Sequence, residues 1–181
     1  MPGVYGAYGG YEQTNAIWSL TELVIDTRYF MKHIICFGNP LHGDDGFGTV
    51  VYQRLSKQPM PENVRLFDAG TPGLKALTLF DNCNEIIIVD ALASQGNPGR
   101  LHFLTPQQIS DESVIPGHGI GVCHLLKSFA ALSEARPNIK IIAVEVDCII
   151  PFMPGLSLPV TRATIKAEQY IAEYIGLRCY A

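Results

Sequence analysis

The sequence predicts an α/β fold, a three-layer α/β/α sandwich on a mainly parallel five-stranded sheet, and three observations predict it. Short apolar runs of strand length alternate with stretches whose apolar residues repeat at helical spacing, from His33 to Ile175. The run Glu85-Ile86-Ile87-Ile88-Val89-Asp90 is unbroken between its acidic ends, the pattern of a central strand buried on both faces. No internal repeat or linker interrupts residues 31–176, and a chain of 181 residues suits one domain with a sizeable core.

Taken in order, His33-Ile34-Ile35-Cys36-Phe37 reads as the first strand. A helix over Gly46–Lys57 follows and is ended by Pro59-Met60-Pro61. Val64–Asp68 is the second strand; it runs through the turn Ala69-Gly70-Thr71-Pro72-Gly73 into a helix over Leu74–Phe80. After the central strand, Arg100–Leu104 alternates and suits a shorter antiparallel strand. The Gly-rich connection Val114–Gly121 holds His118 and enters a helix with a stripe of Ile120, Cys123, Leu126, Phe129 and Ala130. Ile139–Val146 is the last strand. Ser157 is placed to N-cap a final helix whose Val160, Thr164, Ala167, Ile171 and Ile175 share one face, with Gly176 at its C-terminal cap.

Composition narrows the function. The chain is 48% apolar and 17% charged, as a folded globular protein should be, and its net charge of -4 comes without a basic cluster for nucleic acid. The five cysteines are scattered with no Cys-x-x-Cys pair, which favours a reduced cytoplasmic protein over a disulfide framework or zinc finger. Met1–Tyr11 is rich in Gly and Tyr, and the first basic residue is Arg28, so the basic-then-apolar order of a secretory signal is absent. Ala16–Ile25 is too short and too polar to span a bilayer. The domain is expected to start at Met31, with residues 1–30 an N-terminal extension or an overextended reading frame and residues 177–181 a tail.

The chemistry centres on Gly38-Asn39-Pro40-Leu41-His42-Gly43-Asp44-Asp45-Gly46-Phe47-Gly48, the loop from the first strand to the first helix. Its glycines allow tight turns and close backbone approach. Asp44 and Asp45 can hold a cation or work as acid and base; the competing reading is a solvated turn in which an Asp caps the helix. The loop lacks the Gly-Lys-Ser/Thr ending of a P-loop and the dinucleotide glycine spacing, and paired acids repel phosphate. Asp68 and Asp90 end the second and third strands, and parallel strands keep such ends on one edge. Asp68 also suits a loop anchor, whereas Asp90 directly follows an apolar strand where an unpaired charge is costly. His118 and His42 compete as the nitrogen donor near this edge, while His33 and His102 read as structural and His124 does not share a helical face with His118. Two carboxylates and an imidazole with open positions suit zinc, iron or nickel.

Over residues 31–175 these features together resemble the nickel-iron hydrogenase maturation endopeptidases. The resemblance rests on Gly38-Asn39 with Asp44-Asp45-Gly46-x-Gly48, Asp68-Ala69-Gly70-Thr71-x-Gly73, the strand ending Asp90-Ala91, and His118 before a Gly121-containing helix. It departs at Pro116, where the family often has Ser or Thr, and at Gly119, where it is commonly polar. The resemblance implies a phosphorylase/hydrolase-like fold, nickel held by Asp45, Asp90 and His118, and catalysis by Asp45, Asp90 and Asp44 in an aspartic-type peptidase. It further implies a monomer that transiently binds the precursor of a hydrogenase large subunit and removes its C-terminal extension. The nickel would come with the precursor and polarise the scissile carbonyl or activate water, with Asp44 or Asp45 assisting proton transfer, and no permanently bound cofactor is expected. No Gly-x-Ser-x-Gly elbow, His-Glu-x-x-His helix or suitably placed cysteine offers another protease mechanism. Two alternatives are a metallohydrolase (aminopeptidase or amidase) with its own metal, and a noncatalytic nickel-sensing assembly factor.

Overall fold

The computed structural model describes residues 30–177 apart from 72, 111–119 and 148. The N-terminal extension, the C-terminal tail beyond Leu177, most of the Val114–Gly121 connection and His118 itself therefore lie outside the described residues. The strands are β1 (Lys32–Phe37), β2 (Val64–Gly70), β3 (Glu85–Leu92), β4 (Leu101–Leu104) and β5 (Asn138–Glu145). The helices are α1 (Phe47–Leu55), α2 (Pro106–Ser110), α3 (Ile120–Leu132) and α4 (Leu158–Tyr174).

Among the described residues the strands form one five-stranded sheet in the order β2-β1-β3-β5-β4. β1 pairs in parallel with β2 and β3, β3 pairs in parallel with β5, and only the edge strand β4 runs antiparallel. The alternation of strand side chains divides the core in two. Ile34, Cys36, Ile87, Val89, Ile142 and Val144 face α1 and α4, meeting Phe47, Val51, Val160 and Ile171. Ile35, Phe37, Ile86, Ile88 and Ile141 face the other way, onto Phe80, Val122, Leu125 and Phe129. This is the expected sandwich, and it covers both faces of β3.

Three local expectations change. Leu74–Phe80 winds as a 3-10 helix rather than an α-helix; that form rises about 2.0 Å per residue, so a short connector spans more distance. Among the described residues the buried face of α3 is Val122, Leu125, Leu126 and Phe129, with Ala130 exposed and Cys123 only half-buried; the side chain of Ile120 lies outside the described residues. The larger Val122 and Leu125 remove more apolar area from water than Cys123 and Ala130, and this turns the helix. Ser157 does stand at the N-terminus of α4 in extended conformation, but its hydroxyl does not cap the helix; it donates to Asp44 instead. The expected face of α4 is buried throughout, and Gly176 closes the helix at φ +77°.

Candidate active site

The chain leaves β1 for β2 on one side and returns to β3 on the other. A crevice therefore opens beyond the carboxyl ends of β1 and β3, the place where open α/β sheets bind ligands. The acidic loop enters it from β1 and Asp90 from β3, whose Val89 is in register with Cys36. Asp44 and Asp45 lie in a 3-10 turn, Gly43–Gly46, that runs directly into α1.

Close backbone packing holds this turn in place. Gly38 sits at φ +152°, and a Cβ there would overlap the Asp45 carbonyl oxygen. A Cβ on Gly48 would strike the carbonyl oxygen of Phe37, so a glycine is needed where α1 starts against the end of β1. The Gly38 amide donates to the Gly70 carbonyl at 2.8 Å. The Asn39 amide donates both to the Asp45 carbonyl oxygen, at 3.1 Å, and to its carboxylate Oδ2, at 3.2 Å. The backbone thereby orients the Asp45 side chain.

The two neighbouring acids have separate surroundings. Asp44 is buried and accepts hydrogen bonds from the Ser157 amide (2.6 Å), the Ser157 hydroxyl (2.9 Å) and the Asp147 amide (3.3 Å). It ties both ends of the segment between β5 and α4 to the acidic loop. Asp45 is half-buried. Burial raises its pKa, and the Asn39 amide and then His42 partly oppose the rise. Asp90 is 9% exposed. Burial pushes it up to about 7; the Ala91 amide, which donates at 2.8 Å, opposes this, and the charge of Asp45 adds to it. Asp45 and Asp90 thus act on each other electrostatically although they are far apart in sequence.

The remaining candidates fall into place around this pair. Asp68 is exposed, accepting from the Gly70 amide at 3.4 Å and the Thr49 hydroxyl at 3.5 Å, so it anchors the end of β2 to α1. His33 donates from Nδ1 to the Leu79 carbonyl at 2.7 Å, and His102 lies 3.4 Å from Glu145, so both are structural as expected. His42 flanks the acidic loop with its ring edge-on to Phe152. Cys36 is buried in β1; burial and then Asp68 hold its thiol above the ordinary range, which keeps it protonated and inert. Among the described residues no group of three His, Cys, Asp or Glu converges as a metal site. Asp45 and Asp90 supply two oxygen donors, and His118 lies outside the described residues. The sequence reading missed the Ser157–Asp44 tie, whose only local signal was the helix-start pattern at Ser157.

Chemically, two carboxylates that repel each other in a partly dry crevice can do either of two things. They can share a cation, which relieves the repulsion, or one can keep a proton near neutral pH while the other stays ionised. Both suit hydrolysis.

A family model described as "Hydrogenase maturation protease" matches residues 50–174. A putative hydrogenase maturation protease of Methanocaldococcus jannaschii is 32% identical over 144 residues, covering 76% of this chain and 92% of that protein. The hydrogenase 2 maturation protease of Escherichia coli is 26% identical over 145 residues, covering 77% and 87%. Among solved structures, the hydrogenase maturating endopeptidase HybD of E. coli superimposes with a TM-score of 0.69 at 23% identity, over 81% of this chain and 93% of that one. The hydrogenase 2 maturation peptidase from a Thaumarchaeota archaeon gives 0.60 at 29% identity, over 82% and 99%. With its fold, its acidic pair at the switch point and these matches together, the chain belongs to the hydrogenase maturation protease family.

Proposed function

We propose that this protein is an endopeptidase that removes the C-terminal extension of a nickel-loaded nickel-iron hydrogenase large-subunit precursor. The observation that carries the reading is the pairing of Asp45 with Asp90 at the sheet's switch point, each raised by burial and with the charge of one acting on the other. A buried pair of like charges is costly to the fold and useful to a cation. In this reading the cation is the nickel of the precursor, part of the substrate, and Asp45, Asp90 and His118 are its ligands on the enzyme.

That arrangement makes the substrate's metal a condition for cleavage, because the pair stays repulsive until a cation arrives. The bound nickel supplies Lewis acidity beside the scissile peptide. The rest falls to this chain's side chains. Asp45, oriented by the Asn39 amide, takes or returns a proton at the edge of the crevice, and Asp90, drawn into its charged form once the cation arrives, holds that charge beside it. Asp44 keeps its oxygens on Ser157 and Asp147 and positions the turn. Under this reading the enzyme is an aspartate-dependent peptidase of the cytoplasm, a monomer without a resident cofactor that binds its precursor only transiently.

The test is the intact mass of the precursor before and after incubation, with and without nickel. The expected result is loss of the tail from the nickel-loaded form alone. Equal cleavage of the metal-free precursor would overturn nickel gating, and no cleavage of either form would overturn the proposed activity.

A further inference from the structure

The segment between β5 and α4 carries an apolar surface that no packing among the described residues buries. Ile149, Ile150, Phe152 and Met153 are exposed, and Leu41 of the acidic loop is exposed beside them. Phe152 is 87% exposed. It also adopts φ +60°, a left-handed conformation that a bulky residue enters only when its surroundings impose it. The surroundings here are specific. Asp44 holds the segment at Asp147 and at Ser157. The Gly43 amide donates to the Met153 carbonyl at 2.7 Å, and His42 forms a bridge with Met153 while its ring meets Phe152 edge-on, 6.2 Å between centroids. A buried carboxylate, backbone pairing and a ring contact are therefore all spent on holding an aromatic side chain out in water.

We infer that Phe152 and Met153, with Leu41, Ile149 and Ile150, are the docking face for the folded body of the precursor. The inference rests on the proposed function. The occupant follows from position: the segment is bolted to Asp44, the residue before Asp45, so a protein delivering its metal to Asp45 brings its own surface against this face. Apolar surface held rigid beside a polar crevice is what a protein partner uses as an anchor. The tail is then cut in the crevice while the body is gripped outside it.

The experiment compares wild-type protein with Phe152→Ser and Met153→Ser in the full chain, and with Leu132→Ser, an exposed apolar position on α3, as control. Affinity is measured for the nickel-loaded large subunit without its tail, which cannot be cleaved, and KM and kcat are measured with the tailed precursor. The expected result is an affinity weakened roughly tenfold by Phe152→Ser, with KM raised to match, kcat within about twofold and the control unchanged. Unchanged affinity for the tail-less subunit, with cleavage intact, would overturn the docking face and leave the proposed function standing. Weakening seen only with the tailed precursor would assign the face to the tail and overturn the inference. A wild-type dimer in sedimentation that Phe152→Ser dissociates would overturn it too, by assigning the face to a second copy.

Discussion

Strand β3 carries a buried carboxylate at each end, and the two are treated differently. Glu85, at the amino end, is 3% exposed and faces cations: the Lys140 ammonium lies 3.3 Å away and that of Lys32 3.5 Å. Tyr174 donates its hydroxyl to Glu85 and receives both ammonium groups over its ring, while Asn138 donates at 3.2 Å. Burial alone would raise Glu85, but Tyr174, Lys140 and Lys32 outweigh it and hold the carboxyl below the ordinary range. Asp90, at the carboxyl end, faces Asp45 and is held up at about 7. One residue class, on one strand, is compensated at the end that packs against Lys140, Lys32 and Tyr174 and left uncompensated at the end that opens on the crevice. Asp44 sharpens the contrast. It stands beside Asp45 in sequence, yet its hydrogen bonds from Ser157 and Asp147 place it with the compensated acids.

The comparison can be broken by substitution. Asp90→Asn and Asp45→Asn are expected to slow precursor processing on the order of 1,000-fold, because a lost ligand forfeits several kcal/mol of charge stabilisation. Neither should lower the melting temperature at neutral pH, since each relieves repulsion; precursor mass and a thermal melt on the same samples check both. Asp44→Ala should cost about 3 kcal/mol in denaturant unfolding, because it orphans two amides and a hydroxyl, whereas Ser157→Ala should cost about 1 kcal/mol and leave kcat within a few-fold.

Glu85→Ala is expected to cost about 2 kcal/mol, below the usual range for a broken buried pair because Lys140 is 42% exposed at its side chain. Its processing rate per folded molecule should match the wild type. The smallest effect is on acid stability. A carboxyl held below its unfolded pKa stabilises fully above that value, 4.5 for Glu, and loses the contribution as pH falls through the lowered folded value. Wild-type stability should therefore drop more steeply with falling pH than that of Glu85→Gln below about pH 5, in unfolding curves at matched ionic strength. Parallel curves would remove Glu85 from the compensated class.

Much of this was legible in the sequence because it is periodic or local. The unbroken Ile86–Val89 run predicts a central β3, and the ends of parallel strands predict Asp45 and Asp90 at one edge. The buried stripe of α4 followed from its 3.6-residue period. What could not be read depends on contacts between distant segments. Asp44 and Asp45 are the same residue type one position apart, and only the partner at Ser157, 113 residues on, tells them apart. The turn of α3 depended on which of several apolar residues its neighbours could bury. The backbone of Phe152 is set by pairing with the loop at His42 and Gly43, which nothing in its own segment announces.

Under the proposed function, Asp45 and Asp90 jointly take hold of a metal that the substrate brings. The most direct measurement is nickel X-ray absorption of the loaded precursor, alone and frozen within seconds of mixing with this protein. The expected result is added oxygen or nitrogen neighbours around nickel in the mixture, lost when the double variant Asp45→Asn/Asp90→Asn replaces the wild type. A nickel spectrum unchanged by the wild-type protein, or changed equally by the double variant, would contradict it.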